Sequence, residues 1–194
     1  MTDNPYAPPQ SDLTSVDERA APPEFYVVSR LKFAVLYFAT LGLYKIYWFY
    51  RNWNHYRKRA GENLWPVPRA VFAIFFVRSL FTHIQFRASK QQIFRSWDMK
   101  FDSAVLVILM IVANILDRLA AKEIGWPYTD VVALVITIPI FFLLFKAQGI
   151  INAVCLDPEG TRNSRFTPAN YFWIVVGVLV WILAGAGTFM APVK

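Results

Sequence analysis

The side chains that most often do chemistry are few in this chain and far apart. His55, His83 and Cys155 are its only histidines and cysteine. Metal ligation needs such groups in clusters, and no CxxC or HExxH spacing exists, so neither a metal nor a cofactor is expected. A hydrolytic triad needs a nucleophile, a base and an orienting acid. Serines and aspartates are present, but no nucleophile elbow is, and two histidines leave little choice of base. No phosphate-cradling or dinucleotide glycine motif occurs. The loop Asp157-Pro158-Glu159-Gly160-Thr161-Arg162-Asn163 starts like a calcium loop, but glycine is missing from its sixth position and glutamate from its twelfth. The expectation is a protein that is not an enzyme.

Polar groups set inside apolar runs are the remaining candidates. A charge there is costly unless it snorkels or finds a partner or water. Arg78, His83 and Lys146 form the candidate intramembrane polar site, an anion or headgroup pocket. The competing reading has Arg78 snorkelling and His83 as a neutral packing residue. Asn114, Gln148 and Asn152 are expected to join helices by hydrogen bonds, Gln148 and Asn152 sharing a helix face at a spacing of four.

The richest stretch is 40–59. After Gly42, which can end one helix and redirect the chain, come Tyr44, Tyr47, Trp48, Phe49, Tyr50, Trp53 and Tyr56, and then Arg57-Lys58-Arg59. Tyrosine and tryptophan favour the headgroup level of a bilayer. Bases near an anionic surface contribute about 1 kcal/mol each. Lys45, Trp48, Arg51, Trp53, Tyr56, Arg57, Lys58 and Arg59 are therefore the candidate lipid-headgroup contacts, on an interfacial helix.

Composition says what must position these residues. The chain has 194 residues, 56% of them hydrophobic and only 17% charged, with a mean hydropathy of +0.36. A soluble domain carries about 25% charged residues, and a globule this small could not hide so much apolar surface. The charge is segregated. Residues 1–24 are acidic and proline-rich, with a net charge of −4; residues 25–97 carry +11; residues 98–194 are neutral. These blocks are the expected tail, basic aromatic membrane segment and three-helix transmembrane region. The tail reads as disordered and lacks the basic start and apolar centre of a signal peptide. Because the bases border long apolar runs, anionic lipid rather than nucleic acid is the expected partner.

The fold class that follows is all-α, a polytopic membrane helical bundle. Tyr171–Val193, Val131–Phe145 (extended back to Trp126 and interrupted by Pro139) and Ala104–Leu116 read as three clear spans. Leu31–Tyr50 and Arg69–Phe86 are two further apolar helical segments, spanning or re-entrant. If all five span, the bases outside Lys45 and Arg78 divide ten against eight. If the first two enter and leave by one face, they divide fifteen against three. The positive-inside rule favours the second arrangement, with the N-terminus cytoplasmic.

Thr40-Leu41-Gly42-Leu43-Tyr44, followed by Ile46-Tyr47-Trp48, resembles the T-L-G-[IL]-Y-x-[IL]-Y-W signature of a family of bacterial inner-membrane proteins, a domain of unknown function. The resemblance implies a multi-pass helical protein of the bacterial inner (plasma) membrane and supplies no catalytic residues. The functional expectation is a non-catalytic membrane protein that grips anionic lipid with its basic aromatic element and packs with itself or a membrane protein partner. The alternative is a small anion or amphiphile transporter or channel built on Arg78, His83 and Lys146.

Overall fold

The computed structural model describes residues 22–93 and 97–190, with 184 and 187–190 described by their backbone alone. The expected tail therefore lies outside the described residues except for Pro22–Glu24. The protein is all-helical, with no strand among the described residues. An extended stretch, Phe25–Ser29, leads into α1 (Arg30–Ala39), followed by α2 (Tyr44–Ala60), α3 (Pro66–Val71), α4 (Ala73–Lys90), α5 (Met99–Ala120), α6 (Tyr128–Val135), α7 (Thr137–Val154), a single 3-10 turn at Thr161–Asn163, and α8 (Pro168–Met190). Ser29 caps α1 by accepting from the Lys32 N–H, and Asp98 caps α5 by accepting from the Phe101 N–H.

α1 and α2 form a tight helical hairpin, and the T-L-G-L-Y motif is its turn. The Gly42 N–H donates to the Tyr37 carbonyl (2.8 Å) and the Leu41 N–H to the Phe38 carbonyl (3.2 Å), the two bonds of a Schellman ending. Thr40 serves both helices: its hydroxyl donates to the Leu36 carbonyl (2.7 Å) and accepts from the Tyr44 N–H (3.0 Å). Leu41 and Gly42 are both left-handed, at φ 53° and 79°. At Gly42 an added Cβ would sit 3.3 Å from the Tyr37 ring, so both the turn and the packing favour glycine there.

Contacts along α7 set the hairpin's direction. At the start of α1 the Lys32 ammonium donates to Asn163 Oδ1 and the Arg165 carbonyl, both 2.7 Å away, just beyond the C-terminal end of α7. At its end the Tyr37 hydroxyl donates to the Thr137 carbonyl (2.9 Å), where α7 begins. α2 returns, with Trp48 meeting Gln148 and Arg59 lining a small cavity with Val154, Cys155 and Leu156. Both ends of the hairpin thus lie beside the C-terminal end of α7. α1 is about 15 Å long, half a hydrocarbon core.

α5 (Met99–Ala120, 22 residues) and the rod made by α6 and α7 (Tyr128–Val154, 27 residues) are long and apolar enough to cross a membrane. The interruption between α6 and α7 falls at Ile136, earlier than the proline itself: Pro139 removes one N–H and its ring crowds the carbonyl four residues back, at Val135. Among the described residues two helices, rather than the three expected, meet the length and hydropathy of a crossing. α8 has 23 residues, but its described apolar portion, Pro168–Leu183, is shorter than a span. The expected single segment 69–86 is also divided, between α3 and α4 at Phe72.

The core is aromatic and lies where the hairpin meets α7 and α4: Phe25, Phe33, Tyr37, Trp48, Phe49, Trp53 and Phe81 are all fully buried. Phe33 alone packs against Tyr37, Tyr44, Trp48, Phe141 and Phe145 at centroid distances of 5.7–6.4 Å. By contrast, the long apolar helices face outward. Only 22% of the apolar window of α5 and 17% of that of the α6–α7 rod is buried within the protein, which sets them apart from the core helices of a water-soluble fold.

Candidate functional site

The most constrained polar site holds an extended peptide inside a helical protein. Phe25–Val28 is buried yet belongs to no helix or sheet, so its backbone groups need partners from elsewhere. Carboxamide side chains supply them for both groups of Tyr26 and Val28 and for the Val27 carbonyl. Asn52 Oδ1 accepts from the Tyr26 N–H (3.1 Å), and Gln148 Nε2 donates to the Tyr26 carbonyl (3.1 Å). Asn152 takes both groups of Val28, accepting from its N–H (3.4 Å) and donating to its carbonyl (2.9 Å). Asn163 Nδ2 donates to the Val27 carbonyl and to the Tyr26 hydroxyl, each at 3.0 Å.

The amides are in turn held by one another. Gln148 Nε2 also donates to Asn152 Oδ1 (2.7 Å), the Trp48 indole N–H donates to Gln148 Oε1, and Asn52 Nδ2 donates to the Trp48 carbonyl (2.9 Å). Asn52, Gln148 and Asn152 are fully buried. Cys155 lies under the same segment, its thiol 3.8 Å from the Phe25 carbonyl, and burial pushes it up to about 11.

Beside this clamp, at the C-terminal ends of α2, α4 and α7, lies a basic rim. Arg59, Arg87 and Arg162 line a cavity of about 30 Å³ with Glu24 and Gln91, and Arg87 pairs with Glu24 at 3.2 Å. Lys58, Arg59, Lys90, Lys100, Arg162 and Arg165 are exposed. Asp157 shapes the adjoining turn, accepting from the Thr161 N–H and hydroxyl and from the Arg162 N–H at 2.9–3.0 Å. Burial would raise its pKa, but these hydrogen bonds outweigh burial and hold the carboxyl below its usual value.

The sequence-derived headgroup contacts divide by helix face. Lys58 and Arg59 point outward, while Arg51 and Arg57 are half-buried. Trp48, Trp53 and Tyr56 are corrected: the first two are fully buried and Tyr56 nearly so, because the stripe they share with Asn52 is the one turned onto α7 and α4. Trp53 is faced by the Arg69 guanidinium at 4.5 Å, and Tyr56 lies against His83 in a tilted ring contact at 4.3 Å and donates to Glu62. Arg51 lies over Tyr26 (4.9 Å) and donates to the Tyr47 hydroxyl. Lys45, at the other end of α2, lines a separate cleft.

Arg78, His83 and Lys146 engage separate neighbours and do not assemble as one pocket. Arg78 is exposed. His83 packs on Tyr56 and Trp53, and burial lowers its pKa more than Glu62 raises it. Lys146 pairs with Asp102 at 2.8 Å, the same carboxylate that accepts from the Trp97 indole N–H. A spacing of five residues turns Arg78 and His83 well apart around α4.

Gln148 and Asn152 do share a face and do bind across elements, whereas Asn114 bonds only to the Met110 carbonyl of its own helix. Asn163, Tyr26 and Lys32 were not singled out by sequence, and Asn52 was legible only as a member of the stripe it shares with Lys45, Trp48, Tyr56 and Arg59.

No protein-family model, curated protein or solved structure matches this chain.

Proposed function

We propose that the chain is a non-catalytic, multi-pass protein of the bacterial inner membrane. α5, the α6–α7 rod and α8 cross the bilayer, and the α1–α2 hairpin enters and leaves from the cytoplasmic face. The basic rim lies on anionic headgroups and fixes the protein's orientation, with the N-terminal tail held at that face by the amide clamp.

One observation carries the reading: both ends of the hairpin lie at the same end of α7, so Arg59 joins Arg87 and Arg162. The opposite end, around Lys45, Asp117, Arg118, Lys122, Glu123 and Asp130, has a net charge of zero. That asymmetry is the one the positive-inside rule selects. The outward-facing apolar side chains of α5 and α8, such as Ile108, Ile115, Phe172 and Leu183, suit hydrocarbon as their surroundings.

Single cysteines test it, placed in a Cys155→Ala background and labelled with a membrane-impermeant maleimide. Lys58→Cys, Lys90→Cys and Glu159→Cys should react from the cytoplasmic side, and Lys122→Cys from the other. Reaction of Lys58→Cys from the side that labels Lys122→Cys would refute the hairpin.

A further inference from the structure

A second site lies at the far end of the molecule from the basic rim. A cleft of about 690 Å³ opens between the hairpin tip, the α5–α6 connection and α8, a size suited to a small ligand or a lipid headgroup with the start of its chains. Its walls are mostly apolar, with Trp126, Trp181 and Leu183 among them, and three charged side chains reach it: Lys45, Asp117 and Asp130. Burial disfavours the charged Lys45 ammonium, and the opposite charge of Asp117 offsets this only in part. Yet among the described residues none of the three makes a side-chain hydrogen bond or a direct ion pair. Lys45 is half-buried and Asp117 and Asp130 are exposed, so charges of both signs stand at the mouth of an apolar cleft, where a ligand can pair with them.

The depth is informative. Asp117 stands eighteen residues from the start of α5, about 27 Å along the helix, close to the thickness of a hydrocarbon core. Lys45 is fourteen residues from Arg59, about 21 Å, and its long stem can carry the ammonium further outward. The two tryptophans suit the headgroup level.

We propose that the cleft binds one phospholipid with a primary-ammonium, zwitterionic headgroup in the leaflet opposite the basic rim. Lys45 takes the phosphate diester, Asp117 and Asp130 take the ammonium, and the chains run out along Leu183. One cation and two anions match that headgroup. An anionic headgroup would meet two carboxylates, and a quaternary ammonium lacks the N–H donors that carboxylates pair with. The inference rests on reading α5 and the α6–α7 rod as membrane crossings.

The test is native mass spectrometry of the full chain in detergent micelles doped with equal amounts of phosphatidylethanolamine, phosphatidylcholine and phosphatidylglycerol. One bound phosphatidylethanolamine should dominate. Asp117→Asn with Asp130→Asn should cut its occupancy at least tenfold and shift preference toward phosphatidylglycerol; Lys45→Met should weaken all three. Should the double variant fail to fold, Lys45→Met and Asp130→Asn alone carry the same reading. Equal occupancy by the three lipids, or a preference unmoved by these substitutions, overturns the site. Impermeant labelling of Lys122→Cys in membranes separates the failures: correct sidedness without a lipid preference removes the site alone, and wrong sidedness removes the crossings beneath it.

Discussion

Replacing Asn152 with leucine should release the buried segment Phe25–Val28, and the native cysteine can report it. Leucine keeps the volume but removes both partners of Val28, the donor to its carbonyl at 2.9 Å and the acceptor for its N–H at 3.4 Å, and it strips Gln148 Nε2 of a 2.7 Å acceptor. A buried polar group left unsatisfied costs about 1–3 kcal/mol. The Val28 N–H bond is long and counts toward the low end, so a net penalty of about 3 kcal/mol is expected. Cys155 lies under Phe25 with its thiol pushed up to about 11, so near pH 8 it reacts only when the segment lifts away. Where opening and closing are fast, reactivity follows the open population. About 3 kcal/mol then corresponds to roughly 100-fold faster maleimide labelling, at 1.4 kcal/mol per decade. Asn114→Leu is the control, since its amide serves only its own helix. Labelling of the Asn152→Leu variant at the wild-type rate, in folded protein, would refute the clamp.

Two further outcomes follow from local geometry. Leu41 is held at φ 53° in the hairpin turn, a conformation costing an L-residue about 1–2 kcal/mol; Leu41→Gly, after its own entropy cost, should raise thermal stability in detergent by about 1 kcal/mol, and a lowered midpoint would count against the turn as described. Asp157 has its folded pKa held below the ordinary carboxylate value, so its contribution is fully present above about pH 4 and is lost as pH falls through the depressed value. Proteolysis at the 157–163 turn should therefore rise in acid in the wild type, while Asp157→Asn should be cut readily at neutral pH with a flatter dependence on pH.

Some of this architecture was legible before the structure and some was not, for definable reasons. The redirection at Gly42 was legible because glycine between two helical runs has few other uses, and Lys45 just past it argued against a simple span. The pairing of Gln148 with Asn152 followed from helical spacing. The orientation of α2 did not. Periodicity groups Trp48, Asn52 and Tyr56 on one stripe, but tryptophan and tyrosine suit a headgroup layer and an aromatic core equally well. Only the acceptor on Gln148 for the Trp48 indole, one hundred residues away, decides which way the stripe turns. The same distance in sequence hid Lys32, which looked like one of many surface bases and is nearly fully buried between Asn163 and the Arg165 carbonyl.

The clamp also follows from what lipid forbids. In hydrocarbon or a dry core a chain can leave helical geometry only where every freed N–H and C=O finds a partner. A non-helical segment leading into the α1–α2 hairpin has no sheet in which to find them. A carboxamide presents one donor and one acceptor much as a peptide group does, and Asn152 uses both on a single residue, Val28. Asn52 and Gln148 divide the same task at Tyr26. The amides thus act as a neighbouring strand supplied one side chain at a time from α2 and α7. It follows that Asn152→Asp, which preserves shape and acceptor but abolishes the donor to the Val28 carbonyl, should loosen the segment even though it is the more polar side chain. A hydrophilic residue at that depth is retained for its pairing, and polarity without the donor would not substitute for it.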